Sequence, residues 1–396
     1  MIVFRVRILQ IATKVPYPTI DGSKVGIFNL TKQYLRHGAE VHFAAPVAGE
    51  KIDSRFSSMV SFTPLPAIKG YSIAGGIRNL FSPHPYNMER YFDKEGLRRL
   101  LNVYRSESFD FVHVDHLHMA QYGVVLKEKF GAKVILREHN FESDIMGRVS
   151  EYYGNPLVRM YAGLQHSRML RFESAIIGKV DAVLPISEVD EKKMRDLVPG
   201  IRTRVVPAGV DIENYTPSPV SDPNRVLFLS SFDWLPNIDS FRFYMREILP
   251  RLRDKASHIR TIVAGKSTDK LPRSEMNEQC EVVGYVDDFN KFASMASVAV
   301  IPLRIGSGIR IKLLELMALG MAVVSTSVGA EGIDVVNGKH LLLADTPDDF
   351  VKQIVRLSSS PELRRELGVN ARKLVSEKYT WDSVGDRLLE ACKAIL

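Results

Sequence analysis

The 396-residue chain contains only two cysteines, Cys280 and Cys392, and two tryptophans. Two thiols are too few for a disulfide framework or a four-cysteine zinc site, and they fit a reducing cytoplasm. No apolar run reaches the ~18–20 residues that a membrane-spanning helix needs, so an integral membrane protein is not expected. The first residues place Arg5 and Arg7 inside an apolar stretch, which reads as a β-strand and not as a signal peptide. There is no internal repeat and no low-complexity tract, so solenoid and disordered architectures drop out. The Gly-x-Gly-x-x-Gly fingerprint of nicotinamide-binding folds is missing from the first strand-to-helix turn of either half, which disfavours a dehydrogenase.

What is present is ordinary globular composition, with 45% hydrophobic and 25% charged residues. The net charge of +7 is uneven. Residues 1–217 hold 29 Lys and Arg against 23 Asp and Glu, while residues 218–396 hold 24 against 23. Eight of the ten histidines also fall in the first part. A basic first half fits an anionic partner, or a plain solvated basic surface, since the cations are scattered. Nucleic-acid binding has only this net charge in its favour and is not expected.

Short apolar runs alternate with helical patterns. Strands are expected at Val6–Ile11, Val41–Ala45, Phe109–Val114, Lys133–Arg137, Ala182–Pro185 and Arg204–Val206. The chain turns Pro- and Ser-rich at Thr216–Pro223, where a linker is expected. The alternation restarts with Val226–Leu229, Thr261–Ala264, Val282–Val283, Ala299–Pro302 and Val323–Ser325. Near-continuous apolar strands belong to parallel sheets covered on both faces. The expected fold is therefore α/β, with two doubly wound Rossmann-like domains facing across a cleft. Residues 1–217 form the first domain and 218–380 the second. The amphipathic helix 381–396 packs back on one of them.

Three places carry chemistry. Gly22-Ser23 opens the first helix, where free backbone N–H groups suit an anion or simply cap the helix. His113-Val-Asp115-His116-Leu-His118 sits at a strand end but matches no zinc spacing, so no metal is assigned. A histidine here lining an acceptor cleft is the more natural reading. The richest stretch runs from Arg304 through Gly306-Ser307-Gly308-Ile309-Arg310-Ile311-Lys312 to Glu315. A buried strand ends in a glycine loop that opens a helix, so phosphate oxygens can approach closely and meet the helix start. Arg310 and Lys312 add charge. Lys312 and Glu315 are three apart and share a face, so Glu315 can accept from vicinal hydroxyls such as those of a ribose.

These segments together resemble glycosyltransferase family 4, enzymes of the GT-B fold. The resemblance is carried by Val205-Val-Pro-Ala-Gly209-Val210-Asp211, by Gly284-Tyr285-Val-Asp-Asp288, by Pro302 through Thr326 and by Val328-Gly-Ala-Glu-Gly332. In the first half it is carried by Val134-Ile-Leu-Arg-Glu-His139-Asn140-Phe141-Glu142 and Pro185-Ile-Ser187-Glu188. It implies retaining transfer of a sugar from a nucleoside diphosphate donor to a glycan, lipid-linked or other hydroxyl acceptor. The donor is a substrate, and no cofactor is implied. His139, Arg310 and Lys312 are the implied catalytic residues. Gly22, Ser23, Ser231, Tyr285, Ser307, Gly308, Ile309 and Glu315 are the implied donor contacts.

Two departures stand out. Many family members have two glutamates separated by seven residues, and the first position is Ser307 here. The first loop of the second half, Ser230 to Asp239, carries no cation, so Arg310 and Lys312 are expected to supply the charge. Asn237 and Asp239 read equally as helix caps. A GT-B-type nucleotide-sugar epimerase and a non-catalytic binding subunit are the rival functions. Residues 67–91 mix glycines, aromatics, Lys69, Arg78 and Arg90, as in a surface excursion, a mobile acceptor loop or a peripheral contact with an anionic membrane.

Overall fold

The computed structural model describes residues 6–19, 22–49, 51–220, 222–271, 278–286 and 288–395. Of the segments singled out above, Arg5, Ser221, Asp287 and Leu396 lie outside the described residues. The chain divides into two compact units. The first is Met1–Ser150, Asn155–Ala208 and Trp381–Leu396; the second is Glu151–Gly154 and Gly209–Thr380. The division falls after Ala208 and not at Ser218. Residues 209–217 go with the second unit because Val210 bridges Thr380 and the Tyr215 hydroxyl donates to Glu315 Oε1 at 2.9 Å.

Each unit is built on a six-stranded parallel sheet. The first holds β1 (Arg7–Ile11), β2 (Glu40–Pro46), β3 (Ser61–Leu65), β4 (Phe111–Asp115), β5 (Val134–Glu138) and β6 (Ala182–Pro185), in the order β3-β2-β1-β4-β5-β6. The second holds β7 (Arg225–Leu229), β8 (Arg260–Ala264), β9 (Cys280–Gly284), β10 (Val298–Ile301), β11 (Ala322–Ser325) and β12 (Leu342–Leu343), in the order β12-β11-β10-β7-β8-β9. Every residue of β4, β5, β6, β10 and β11 is buried, which is why these strands read as unbroken apolar runs.

The expected strand Arg204–Val206 is instead an extended segment beside β6. It is bridged at Val183–Thr203, and Val206 N–H donates to the Pro185 carbonyl at 2.9 Å. Arg137 of β5 stitches it down from inside, its guanidinium donating to the carbonyls of Val206 (2.7 Å) and Pro207 (3.2 Å). Burial lowers the Arg137 pKa to about 10, so the strut stays charged at neutral pH. The helical stretch after β7 is Leu235–Phe243 followed by a π-turn, Tyr244–Ile248, and then Leu249–Lys255. Pro250 has no N–H to donate, so the regular ladder cannot run through it. The last helix, Trp381–Ile395, packs within the first unit on Gly22–Arg36. Trp381, Val384, Leu388 and Cys392 join Ile27, Leu30 and Tyr34 in one core.

β1 lies between β2 and β4, and β7 between β10 and β8. The strand order therefore reverses at β1 and at β7. In such sheets the carboxyl ends of the strands at the reversal are where loops diverge and ligands bind.

Candidate active site

In the first unit, three side chains converge on one carboxylate. Asp115 ends β4 and is fully buried. Its Oδ2 accepts from Gln10 Nε2 of β1 at 2.6 Å. Its Oδ1 lies 3.2 Å from His139 Nε2, just past β5, and 3.4 Å from His113 Nε2. Burial works to raise the Asp115 pKa, but His113 and His139 outweigh it and hold the carboxyl well below its usual range. His113 does not line a cleft: it is enclosed, with Nδ1 2.8 Å from the Tyr34 hydroxyl, which itself lies 3.5 Å from Cys392 Sγ. A hydroxyl donating to His113 Nδ1 leaves its proton on Nε2, facing Asp115. Asp115 likewise favours a proton on His139 Nε2, which makes Nδ1 the acceptor edge of that ring.

His116 stacks on His139, ring centroids 3.6 Å apart and planes 4° from parallel. Its Nε2 is 3.2 Å from the Ser23 hydroxyl. Its φ of +72° is one that non-glycine residues seldom adopt and that costs about 1–3 kcal/mol. Its buried Nδ1 has no hydrogen-bond partner among the described residues. Burial lowers the pKa of both rings, so the stacked pair is neutral at pH 7.

Behind His139 lies a buried acidic cluster. Glu173, on the helix Pro156–Ile177, accepts from Glu142 N–H (2.8 Å), Ser143 N–H (3.3 Å) and the Ser143 hydroxyl (2.5 Å). Burial pushes Glu142 up to about 7 and Glu173 up to about 8, and holds Glu138 well above its usual value. Protons on these carboxyls remove the repulsion that three buried charges would create.

In the second unit, the loop after β10 leads to the helix Ile311–Ala318. Gly306 (φ +152°) and Gly308 (φ +77°) take backbone angles that side chains resist. A Cβ on Gly306 would also come within 2.5 Å of the Arg310 guanidinium. Arg310 turns back on its own loop, Nη1 donating to the carbonyls of Ser307 and Gly308. Lys312 is half-buried, and no described side chain accepts a hydrogen bond from it. Burial lowers its pKa to about 8, with Glu315 acting against the shift. Glu315 is raised by burial and restrained by the Tyr215 hydroxyl, which donates to Oε1. Such an ammonium gains from any anion that replaces its lost water.

The loop after β7 lies beside Gly265. At Gly265 (φ +134°) a Cβ would fall 1.7 Å from the Ser230 carbonyl oxygen, so only glycine lets the two strand ends meet. Lys270, Ser267 (2.8 Å) and Lys266 (3.5 Å) converge on the Asp233 carboxylate. Asn237 and Asp239 do not cap the helix. Asn237 Nδ2 donates to the Ser231 carbonyl at 2.7 Å, and Asp239 forms a fork with Arg304 at 2.7 and 3.1 Å.

The family model described as Glycosyltransferase Family 4 matches residues 20–214, and the one described as Glycosyl transferases group 1 matches residues 223–360. A Thermosynechococcus elongatus sucrose-phosphate synthase superposes over 99% of both chains, with a TM-score of 0.77 at 18% identity. The chain belongs to glycosyltransferase family 4 and has the GT-B fold. Anabaena HepE, solved with UDP and glucose, covers 98% of this chain and 100% of its own, with a TM-score of 0.70 at 12% identity. A protein from the cps region of Klebsiella pneumoniae is 24% identical over 39% of this chain and 42% of its own. The lipopolysaccharide 1,2-N-acetylglucosaminetransferase of Salmonella typhimurium is 22% identical over 50% of this chain and 58% of its own. The matches thus span between about two fifths and three fifths of these two relatives.

Within this family 4 chain, Ser307, Gly308, Ile309, Arg310, Lys312 and Glu315 fall on one loop and helix start. Ser231 lies two residues past the end of the adjacent β7. Tyr285 is exposed just past β9, whose last residue, Gly284, accepts from the Gly265 N–H at 2.8 Å. Ser23 joins His116 and His139, while Gly22 is exposed at the helix start. Sequence reasoning missed Asp115 as the hub, and Lys266 and Lys270 as cations beside the cation-free loop. The one local signal for Lys266 is Gly265-Lys266 directly after a strand.

Proposed function

We propose that the protein transfers a glycosyl group from a nucleoside diphosphate sugar to a hydroxyl of a glycan or lipid-linked acceptor, with retention at the anomeric carbon and no metal in the reacting centre. The observation that carries this reading is the half-buried, hydrogen-bond-poor Lys312 three residues before Glu315, at a helix start opened by a glycine loop. That arrangement suits a diphosphate next to a ribose. As the bond from the anomeric carbon to the β-phosphate oxygen breaks, negative charge grows on the leaving group. Lys312, the helix N–H groups and the Arg310-braced loop stabilise it without rearranging. The acceptor oxygen bonds to the anomeric carbon from the leaving-group side, and its proton passes to the departing phosphate. No protein base is then required. Glu315 takes the ribose hydroxyls on the oxygen that Tyr215 leaves open. In this reading His139, held by Asp115, has a positioning role toward the transferred sugar.

The UDP and glucose of HepE and the lipopolysaccharide acceptor in the Salmonella relative's name favour UDP-sugars and surface glycans as first probes. A thermal-shift screen with UDP-, GDP- and ADP-sugars identifies the base, because ligand stabilisation follows concentration over dissociation constant. Donor turnover is then followed by NMR. An acceptor-dependent product with the donor's anomeric configuration supports the reading. Inversion removes the retaining step, and a changed nucleotide sugar released without acceptor identifies an epimerase instead.

A further inference from the structure

We infer that one face of the first unit docks on an anionic lipid surface. The face has two parts. The short helix Ile73–Asn79 and the residues flanking it leave Tyr71, Ile73, Ile77, Leu80 and Phe81 exposed, Ile73 at 85% and Phe81 at 90%. Ile73, Ile77 and Leu80 follow helical spacing and form one outward stripe. The second part is the start of the helix Pro156–Ile177, where Leu157, Met160 and Leu164 are exposed at spacings of three and four. The two parts are joined beneath the surface. Arg168 donates to the carbonyls of Asn79 (2.7 Å) and Leu80 (2.8 Å), and Gln165 Nε2 to Asn79 Oδ1 (2.9 Å). Soluble proteins seldom leave so many large apolar side chains side by side without a partner.

Charge decides the partner. Residues 67–91 and 156–177 contain six cations and two acids. Both acids point inward: Glu89 accepts from Asn79 and Ser82, and Glu173 is fully buried. Within these two segments the exposed charges are Lys69, Arg78, Arg159 and Arg171, all positive. Arg90 stands over the Tyr71 ring at 3.4 Å and stiffens that aromatic at the rim. Exposed aliphatics and aromatics ringed by arginine and lysine fit an interface of acyl chains below anionic headgroups. A second copy of this chain on the same face would set these like charges against one another.

The test is vesicle flotation of the full chain, with phosphatidylcholine vesicles and with vesicles that also contain phosphatidylglycerol. Cofloating with the anionic vesicles at low salt, falling at high salt, is the expected result. The Ile77→Ser/Phe81→Ser protein loses more than about tenfold in vesicle affinity, since two large apolar groups no longer leave water. Arg78→Glu loses about fivefold or more. Leu157→Ser/Met160→Ser repeats the test on the other helix, so a folding defect in one variant does not decide the outcome. Thermal stability and soluble donor turnover stay at parental levels in these exposed-site variants, whichever nucleotide sugar is the donor. No flotation of the parent, or flotation untouched by both double variants, overturns the inference. So does a lipid-free dimer that the same variants dissociate, which would make the face a protein contact.

Discussion

The two units end their central strands in opposite ways. In the first, two buried carboxyl groups gather their own partners: Asp115 gathers Gln10, His113 and His139, and Glu173 gathers Ser143 and the Glu142 backbone. In the second, Lys312 carries a charge that burial penalises and no described partner accepts its hydrogen bonds. A self-satisfied network holds geometry, whereas an unsatisfied buried cation is completed by a ligand. The first unit is thus built to position, and the second to receive an anion.

Lys312→Ala breaks this contrast hardest. Loss of a preorganised cation facing developing phosphate charge costs about 10²–10³ in kcat/KM. The donor dissociation constant rises, and stability without donor is unchanged or slightly higher, because a desolvated charge is gone. Steady-state kinetics with calorimetric titration of UDP checks it. Parental kinetics would put the anion elsewhere and end the argument for this pocket.

Asp115→Asn tests the positioning role. It removes a charged acceptor from two imidazoles, worth about 1.5–3 kcal/mol, or roughly tenfold to a hundredfold in turnover. The ring of His139 then loses its tautomeric preference, and its NMR nitrogen shifts report that directly. A kcat loss with parental tautomer populations would show that Asp115 acts only through packing.

Much of this contrast was legible in the sequence, for stated physical reasons. Strands buried on both faces leave continuous apolar runs, so β1, β4, β5, β10 and β11 could be read directly. β3 could not: it is an edge strand, half exposed and containing Pro64, so neither alternation nor an apolar run appears. His139 was visible as a strand-end histidine in a family-like motif. Its partner was not, because Asp115, Gln10 and His139 meet only through the β1-β4-β5 pairing, and Gln10 and Asp115 are 105 residues apart. The cations beside Asp233 were hidden in the same way, since Lys270 reaches it from the neighbouring strand end 37 residues later. Arg310 was read by its charge alone, and its turn back onto the loop carbonyls is a property of the two glycine angles.

Glu173→Gln sharpens the pH side of the comparison. The folded protein keeps protons on Glu142 and Glu173 that the unfolded chain releases above about 4.5, because burial raises these carboxyls to about 7 and about 8. Their contribution is full below the unfolded value and is lost as pH rises toward the folded ones, with a slope of up to about 1.4 kcal/mol per pH unit for each proton. Urea denaturation of the variant between pH 5 and 8 gives a shallower decline than the parent. His118, lowered to about 3 by burial, acts oppositely: its contribution is present above the unfolded histidine value and falls as pH drops through that range. Equal slopes for variant and parent would mean that Glu173 is ionised in the folded chain.

Tyr215→Phe carries the smallest effect and the finest distinction within the second unit. The hydroxyl holds Glu315 Oε1 at 2.9 Å and restrains the rise that burial imposes on the Glu315 pKa. Without it, Glu315 protonates at higher pH, and a protonated carboxyl accepts ribose hydroxyls poorly. The donor KM rises by about threefold to tenfold, the worth of one hydrogen bond, while kcat stays near the parental value. The acid limb of the kcat/KM profile moves to higher pH. A profile that keeps its acid limb while KM rises would mean that Tyr215 only packs against the helix and does not tune the carboxylate.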